Sequence, residues 1–181
     1  MSDARTITPG TGVAVLIAAI VLVAVGALVV ARSDGDGSDE VDRVRDATEG
    51  FEQLGAAERA GYAELADNEG LTCIEDPGGA GAMGTHFVNG GLVGDGVIDA
   101  ERPEALLYDR SGGKDRLLGV EYVVMQAQWK ASAPPELFGH RFRSVNAPNR
   151  YGLEPFYELH AWVWEDNPAG MFDDWNPRID C

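Results

Sequence analysis

The sequence predicts an α+β fold, in which helices pack on a mainly antiparallel sheet, preceded by a transmembrane helix. Three observations predict this class. An uninterrupted apolar run covers residues 12–31, and helical periodicity follows it from residue 38. From residue 85 onward the chain instead carries short strand-like segments at hairpin spacings. Helices followed by runs of short strands are typical of α+β domains.

Residues 12–31, GVAVLIAAIVLVAVGALVVA, contain no charge and no hydrogen-bonding side chain. A helix of this length is about 30 Å long, which matches the hydrocarbon core of a bilayer. We therefore expect a membrane anchor between a cytoplasmic tail at residues 1–11 and an acidic linker at residues 32–37. Two alternatives stay open. One is a cleaved signal peptide ending near Ala31, for which the run is long, and the other is a helix buried in the domain's own core.

We expect residues 38–181 to form a single extracytoplasmic domain. The positive-inside count does not favour this orientation, because Arg5 precedes the apolar run and three arginines follow it closely. Against that, the linker is acidic, and a short N-terminal tail usually stays in the cytoplasm. The expected location is therefore the cell membrane, crossed once, with a secreted form after cleavage as the alternative. The bilayer is then a partner, and a membrane-protein partner is a further option.

The chain has a net charge of −16, from 30 acidic and 14 basic residues. Such a field repels nucleic acid and anionic lipid headgroups, so we expect neither as a ligand. Acidic surfaces with few lysines suit proteins that work in high salt, and we favour a halophilic source. A surface for cationic partners or divalent ions is the alternative.

Cys73 and Cys181 are the two cysteines of the chain. In an exported domain, such a pair predicts one disulfide between an early segment and the last residue. Closing a loop of that length is worth on the order of 4 kcal/mol in the chain-entropy model. Two free thiols, or half of a metal site, are the alternatives, although the sequence contains no CxxC pair.

Two helices are expected first. The first begins at Ser38, which can cap it, and breaks near Gly55. Its apolar stripe consists of Val41, Val44, Thr48, Phe51 and Leu54. The second covers residues 56–66, with Tyr62 and Leu65 facing inward.

A glycine-rich loop, GGAGAMG, occupies residues 78–84. It lacks the P-loop lysine and the glycine spacing of dinucleotide sites, so we expect a turn where the backbone approaches another segment closely. Strands are expected at residues 85–89, 105–108, 117–128 and 156–164. A proline- and asparagine-rich connection at residues 133–155 precedes the last strand.

The last strand has two unlike faces. One face is an ordinary core pattern of Tyr157, Leu159, Ala161 and Val163. The opposite face carries Phe156, Glu158, His160, Trp162 and Trp164. An aromatic face that holds a histidine and a carboxylate is not a typical solvated face. Either another layer, such as the N-terminal helix, covers it, or it lines a pocket.

Glu121 lies in the middle of the strand at residues 117–128. It shares a face with Gly119, Val123 and Met125, whereas the other face carries Leu118, Val120, Tyr122 and Val124. A buried carboxylate needs a partner, because leaving it unpaired is expensive. The structural explanation is a salt bridge to an arginine or a hydrogen bond to Tyr108. The functional explanation is a metal ligand or an acid/base group.

The predicted strands also carry His86 and His160. With Glu121, they could form the arrangement of two histidines and one carboxylate that binds first-row metals such as copper or zinc. The alternative is that each histidine is a hydrogen-bonded core residue. A separation beyond about 8 Å between the two imidazoles would exclude a shared ion, since metal–nitrogen bonds are near 2 Å.

Three further residues are candidates for contact with a small ligand: Met83, Tyr122 and Trp162. The thioether of Met83 would add a soft ligand and favour copper. His140 lies in the long connection and is the weakest ligand candidate. No serine or cysteine is placed like an activated nucleophile, so we assign no catalytic residue.

Several segments share their order with a known group of proteins: residues 81–89 (GAMGTHFVN), 103–108 (PEALLY), 120–122 (VEY), 157–164 (YELHAWVW) and 167–170 (NPAG). With the final cysteine, they resemble a family of uncharacterised exported bacterial and archaeal domains, over residues 47–181. The resemblance implies an extracytoplasmic domain with a Cys73–Cys181 bridge, and it supplies no activity. Thr85 and His140 depart from the family pattern.

We therefore expect a membrane-anchored binding or accessory domain that holds a transition metal or a small ligand. A metal-dependent oxidoreductase or hydrolase using the same residues is one alternative. A structural subunit of a membrane complex is the other.

Overall fold

An antiparallel sheet of seven strands organises residues 37–181, the part of the chain described by the computed structural model. The helices of this part are α1 (Gly37–Thr48), a 3-10 helix (Glu49–Glu52), α2 (Leu54–Arg59) and α3 (Gly90–Val93). The strands are β1 (Ala63–Glu64), β2 (Cys73–Glu75), β3 (Ala82–Val88), β4 (Ala105–Asp109), β5 (Arg116–Met125), β6 (Glu136–Leu137), β7 (His140–Arg141), β8 (Arg143–Val145) and β9 (Phe156–Ala161). The predicted α+β class with a mainly antiparallel sheet is confirmed.

The sheet has the order β1-β3-β4-β5-β9-β8, with β2 also paired to β3, and β6 and β7 form a separate pair. The proline- and asparagine-rich connection at residues 133–155 contains three short strands that the sequence analysis did not predict, β6, β7 and β8. β5 and β9 also end earlier than predicted. After Met125 the chain turns, and Trp129 donates its backbone N–H to the Met125 carbonyl at 3.1 Å. After Ala161 the N–H of Trp164 bonds to the Leu118 carbonyl at 3.0 Å.

Within residues 37–181, no helix has the length and apolar character needed to cross a bilayer. Residues 1–36, with the predicted tail, membrane helix and most of the linker, lie outside the described residues. Gly37, which the sequence placed in the linker, is the first residue of α1.

The predicted stripe of α1 faces the core. Val41, Val44 and Thr48 are buried. The next two residues of the stripe, Phe51 and Leu54, are partly buried and pack against the main apolar core. The α-helix ends at Thr48, before the predicted break, and the chain continues as the 3-10 helix. α2 ends at Arg59, short of the prediction, because Gly61 adopts a φ of +97°.

The main apolar core lies between α1 and one face of β5 and β9. It contains the predicted face of β9, with Leu159, Ala161 and Val163 buried. Leu118 was predicted to share a face with Val120, and this is wrong. A bulge against β4 turns Leu118 to the other face, where it packs in a small cluster with Ala82, Leu107, Trp162 and Ile179.

The C-terminal segment crosses the glycine-rich loop. Ala82 and Asn176 exchange backbone hydrogen bonds of 3.2 and 3.1 Å. Gly81 has a φ of +118°, and a Cβ there would lie 2.1 Å from the Asn176 carbonyl oxygen. The expectation of a close backbone approach is confirmed, and β3 begins at Ala82, three residues earlier than predicted.

The predicted disulfide is present. Cys73 on β2 is bonded to Cys181, with 5.6 Å between their Cα atoms. The two alternatives, free thiols and half of a metal site, are therefore excluded for Cys73 and Cys181. The bridge and the Ala82–Asn176 pairing together fix the C-terminal segment against the edge of the sheet.

Gly81→Ala should lower the free energy of unfolding by about 2–4 kcal/mol, because the left-handed backbone and the contact with Asn176 both disfavour a side chain. Gly112→Ala is the matched control, since nothing lies within 4 Å of its Cβ position. It should change stability by less than about 0.5 kcal/mol. Urea unfolding measures both, and equal stability of the two variants would contradict the assignment.

Glu104 is a buried acid whose Oε2 accepts the Val123 N–H at 2.9 Å, where β4 no longer supplies a partner to β5. Burial raises the pKa of Glu104 to about 8. The folded state therefore holds this proton more tightly than the unfolded state, and its stabilising contribution is lost as the pH rises from about 4.5 to about 8.

Glu104→Gln keeps an acceptor for the Val123 N–H and removes the charge. The variant should gain stability relative to the wild type as the pH is raised from about 5 to about 9. Unfolding free energies across this range test it, with the exposed Glu154→Gln as the control for loss of one carboxylate. A difference that does not change with pH would exclude this effect.

Candidate metal centre

Three strands bring the predicted metal ligands to the sheet face opposite α1. His86 lies on β3, Glu121 on β5 and His160 on β9. Glu121 and His160 are direct cross-strand partners. On β4, Ala105 lies opposite Glu121 and Leu107 lies opposite His86, so His86 and Glu121 meet diagonally across β4.

The three side chains converge. His86 Nε2 lies 3.5 Å from His160 Nε2 and 3.5 Å from Glu121 Oε2. His160 Nε2 lies 3.7 Å from Glu121 Oε1. The two imidazoles are therefore closer than the separation of about 8 Å that would exclude a shared ion. One nitrogen of each histidine and the carboxylate of Glu121 can face a common point.

The cluster is almost completely buried: His86 is 2%, His160 1% and Glu121 6% exposed. His86 Nδ1 has no hydrogen-bond partner among residues 37–181. His160 Nδ1 lies 3.3 Å from Asp174 Oδ1, close enough for an ion pair but outside hydrogen-bond geometry. The two rings thus direct their Nε2 atoms to the cluster and leave both Nδ1 atoms for outer contacts.

Further charged side chains lie around His160. Arg143 is paired with Glu158 and lies 3.0 Å from an Asp174 carboxylate oxygen. Glu158, His160 and Asp174 have the spacing of another metal site. The guanidinium of Arg143 already pairs with both carboxylates, so the cluster at Glu121 is the stronger candidate.

Burial and charge set the pKa values of the cluster. Burial, with the neighbouring His160 and Arg150, holds the pKa of His86 well below its usual range. Burial raises the pKa of Glu121, and Glu158 adds to this rise while His160 opposes it. Burial disfavours the charged form of His160, but nearby carboxylates, Glu121 foremost, outweigh it and raise the pKa of His160. His86 is therefore a neutral imidazole, the form that binds metals.

Of the other predicted residues, the structure brings Met83 near the cluster. Met83 lines a cavity together with Glu121 and His160. Trp162 is buried on the same side of the sheet, in the small apolar cluster, and its indole N–H donates to the Asp173 carbonyl at 2.6 Å.

Tyr122 does not reach the cluster, which corrects its assignment as a ligand contact. It lies in the main core, and its hydroxyl donates to the Ala100 carbonyl at 2.8 Å. Adjacent residues of a strand point to opposite faces, so Tyr122 must point away from the face of Glu121. The hydroxyl of Tyr108 donates to Phe51 and is not a partner of Glu121.

His140 is exposed on β7 and packs against Phe172, with ring centroids 4.1 Å apart, so it is not a ligand of this cluster. Trp164 was predicted on the face of His160, and this is wrong. It lies beyond the end of β9 and packs on the main core, where its indole N–H donates to Thr48 at 3.0 Å.

Two cavities adjoin the cluster, and Glu121 and Tyr151 line both of them. One, of about 220 Å³, contains His160, Arg143 and Arg150 in its wall. The other, of about 260 Å³, contains His86 and is otherwise mostly apolar. The sequence left two possibilities for the face that holds His160: cover by the N-terminal helix or a pocket. The structure shows pockets on this face, and α1 covers the opposite face.

Sequence reasoning missed Asp174, Arg143 and Arg150. Glu158 was predicted on the face of His160, because it precedes that residue by two positions in one strand. Asp174 lies in a turn-rich segment, where no periodicity indicates where a side chain will point.

The fold and the site define a small α+β domain with a buried cluster of two histidines and one glutamate. No protein-family model, no curated protein and no solved structure matches this chain. The resemblance to exported bacterial and archaeal domains therefore stays a prediction, and function is inferred from the geometry.

Proposed function

We propose that this protein is a membrane-anchored extracytoplasmic domain that binds one first-row transition ion, zinc or copper, through His86, Glu121 and His160. The observation that carries the proposal is the spacing of the three side chains, with nitrogen and oxygen atoms 3.5–3.7 Å apart. Ligand atoms on a tetrahedral ion with bonds near 2 Å are about 3.3 Å apart. A small inward adjustment therefore suffices to bind an ion.

The surroundings support this assignment. A metal-binding histidine commonly contacts a carboxylate through its other nitrogen, and Asp174 is placed to do this for His160. The neutral form of His86 favours coordination without loss of a proton. Three protein ligands leave one position open on a tetrahedral ion. The near-complete burial of both histidines favours retention of an ion over rapid exchange.

The donor set indicates which ion fits. Two imidazoles and a carboxylate suit Zn(II) and Cu(II), whereas a thioether selects Cu(I). Met83 lines the cavity on the His160 side, so its thioether would be an additional ligand if the ion is Cu(I). The location outside the cell is supported by the Cys73–Cys181 bridge, because disulfides persist in oxidising compartments.

A metal-dependent enzyme is the second candidate. It is favoured by the two cavities that meet at Glu121, since a substrate in either could reach the open coordination position. The third candidate is a structural element in which protons satisfy the cluster and no ion binds.

The full-length protein, purified in detergent and stripped with EDTA, should bind one equivalent of Zn(II) or Cu(II) by calorimetry. His160→Gln should weaken binding by about 100-fold or more, because it removes one ligand and the contact with Asp174. His140→Gln is the matched control, since that ring is exposed and outside the cluster.

A metal-dependent rise in melting temperature checks that binding occurs to the folded wild type and His140→Gln proteins. The metal proposal fails if the wild type binds neither ion, or if both histidine variants lose affinity equally.

Asp174→Asn should reduce metal affinity by about 10- to 100-fold without changing the stoichiometry, because it removes the negative charge beside His160 Nδ1. The adjacent Asp173→Asn is the control, as its side chain is exposed. Competition with a chromophoric chelator measures both dissociation constants. Equal constants for the two variants would show that Asp174 does not position His160.

A further inference from the structure

We infer that Glu158 and Asp174 form an entry site through which a divalent cation reaches the metal centre, and that Arg143 closes this site. The inference rests on the proposed function, because the entry site leads to the proposed metal centre. It adds a second place of contact with the ion and a route for its exchange, which the three ligands alone do not specify.

The metal centre cannot exchange an ion without a movement of side chains, because His86, Glu121 and His160 are between 1% and 6% exposed. Two cavities adjoin it. The cavity beside His86 has a mostly apolar wall, where a cation would lose its hydration without a compensating charge. The cavity beside His160 contains Glu158 and Arg143 in its wall. The second cavity is therefore the route whose charges suit a divalent cation.

A second group of ligand atoms lies on that route. Glu158, His160 and Asp174 each offer one ligand atom, and these atoms lie within 4.8 Å of one another. His160 belongs to both groups: its Nε2 lies 3.7 Å from Glu121 Oε1, and its Nδ1 lies 3.3 Å from Asp174 Oδ1. This Nδ1 is buried and has no hydrogen-bond partner among residues 37–181. A cation bound by the two carboxylates is therefore separated from the metal centre by one imidazole ring.

Arg143 occupies this second group. It is paired with Glu158 and lies 3.0 Å from Asp174 Oδ2. The side chain of Arg143 is 53% exposed and that of Glu158 is 5% exposed, so the guanidinium covers the carboxylate. A guanidinium and a metal ion compete for such oxygens, since either supplies the positive charge that a buried carboxylate needs.

The position of Arg143 allows it to leave. It lies on β8, a strand of three residues at the edge of the sheet. Because its side chain is already half exposed, the guanidinium can turn into solvent without displacing the core. Glu158 and Asp174 then bind the entering cation. The ion next passes to Glu121 and the two imidazoles, and Arg143 returns to the carboxylates, which thus have a cationic partner before and after the transfer.

The test measures the rates of zinc exchange on the full-length protein in detergent. Stopped-flow mixing with a fluorescent zinc indicator gives the rate of uptake, and transfer to excess chelator gives the rate of release. Arg143→Gln should speed both uptake and release by about 10-fold, because the charge-assisted contacts that close the entry site are lost. A purely electrostatic effect of removing one positive charge would instead speed uptake and slow release.

Arg150→Gln is the matched control. It removes a guanidinium from the wall of the same cavity, but Arg150 is paired with Asp67 and not with the carboxylates of the entry site. It should not speed release. Val93→Phe narrows the apolar cavity and should leave both rates unchanged.

Arg143→Lys keeps the charge and loses the planar fork that contacts both carboxylates. It should speed both rates by less than Arg143→Gln does, and it provides the same test if Arg143→Gln does not fold.

The inference is overturned if the Arg143 variants do not speed release, if Arg150→Gln speeds it equally, or if Val93→Phe slows both rates. Zinc calorimetry of the wild type separates this result from the metal proposal. Binding of one equivalent with unchanged rates in the Arg143 variants overturns the entry site and leaves the metal centre standing. Absence of zinc binding overturns both.

Discussion

The register of β5 against β9 places Glu121 opposite His160 in the interior of the domain, and the chemistry of the site depends on this pairing. A slip of one residue would exchange the two faces of β9 and move His160 into the apolar core. The core face of β9 prevents such a slip, because Leu159 and Ala161 pack beneath α1. The hydrophobic pattern of one face thereby fixes the position of the polar groups on the other.

The second constraint is the path of the C-terminal segment, which contributes Asp174 to the site. Two features hold this segment: the backbone pairing of Ala82 with Asn176 and the Cys73–Cys181 bridge. Asp174 lies two residues before the paired Asn176, so the same attachment positions its carboxylate at His160 Nδ1. The disulfide thus stabilises the surroundings of the site as well as the fold, and an oxidising compartment would favour both.

The candidate ligands could be predicted from the sequence because strands alternate with a period of two, and His86, Glu121 and His160 occupy clear strand patterns. The same alternation places Tyr122 in the core, since it directly follows Glu121. The face on which Leu118 lies could not be predicted. A bulge arises from the pairing of two strands, and the sequence of a single strand does not indicate it. Asp174 and Arg143 reach the site through a turn-rich segment and a short edge strand, whose directions are set by tertiary contacts.

Among the described residues, the site lacks an arginine or lysine paired with Glu121, and the charges around His160 show this. Three carboxylates, those of Glu121, Glu158 and Asp174, lie near this ring, and the guanidinium of Arg143 pairs with the last two. Glu121 is left without an arginine among its described contacts, and a buried carboxylate needs a compensating charge. Burial raises the pKa of Glu121, and the neighbouring carboxylates raise the pKa of His160, so protons compensate the charge in the metal-free form. A divalent cation between the two histidines would supply the same charge, with imidazole nitrogens already directed toward it.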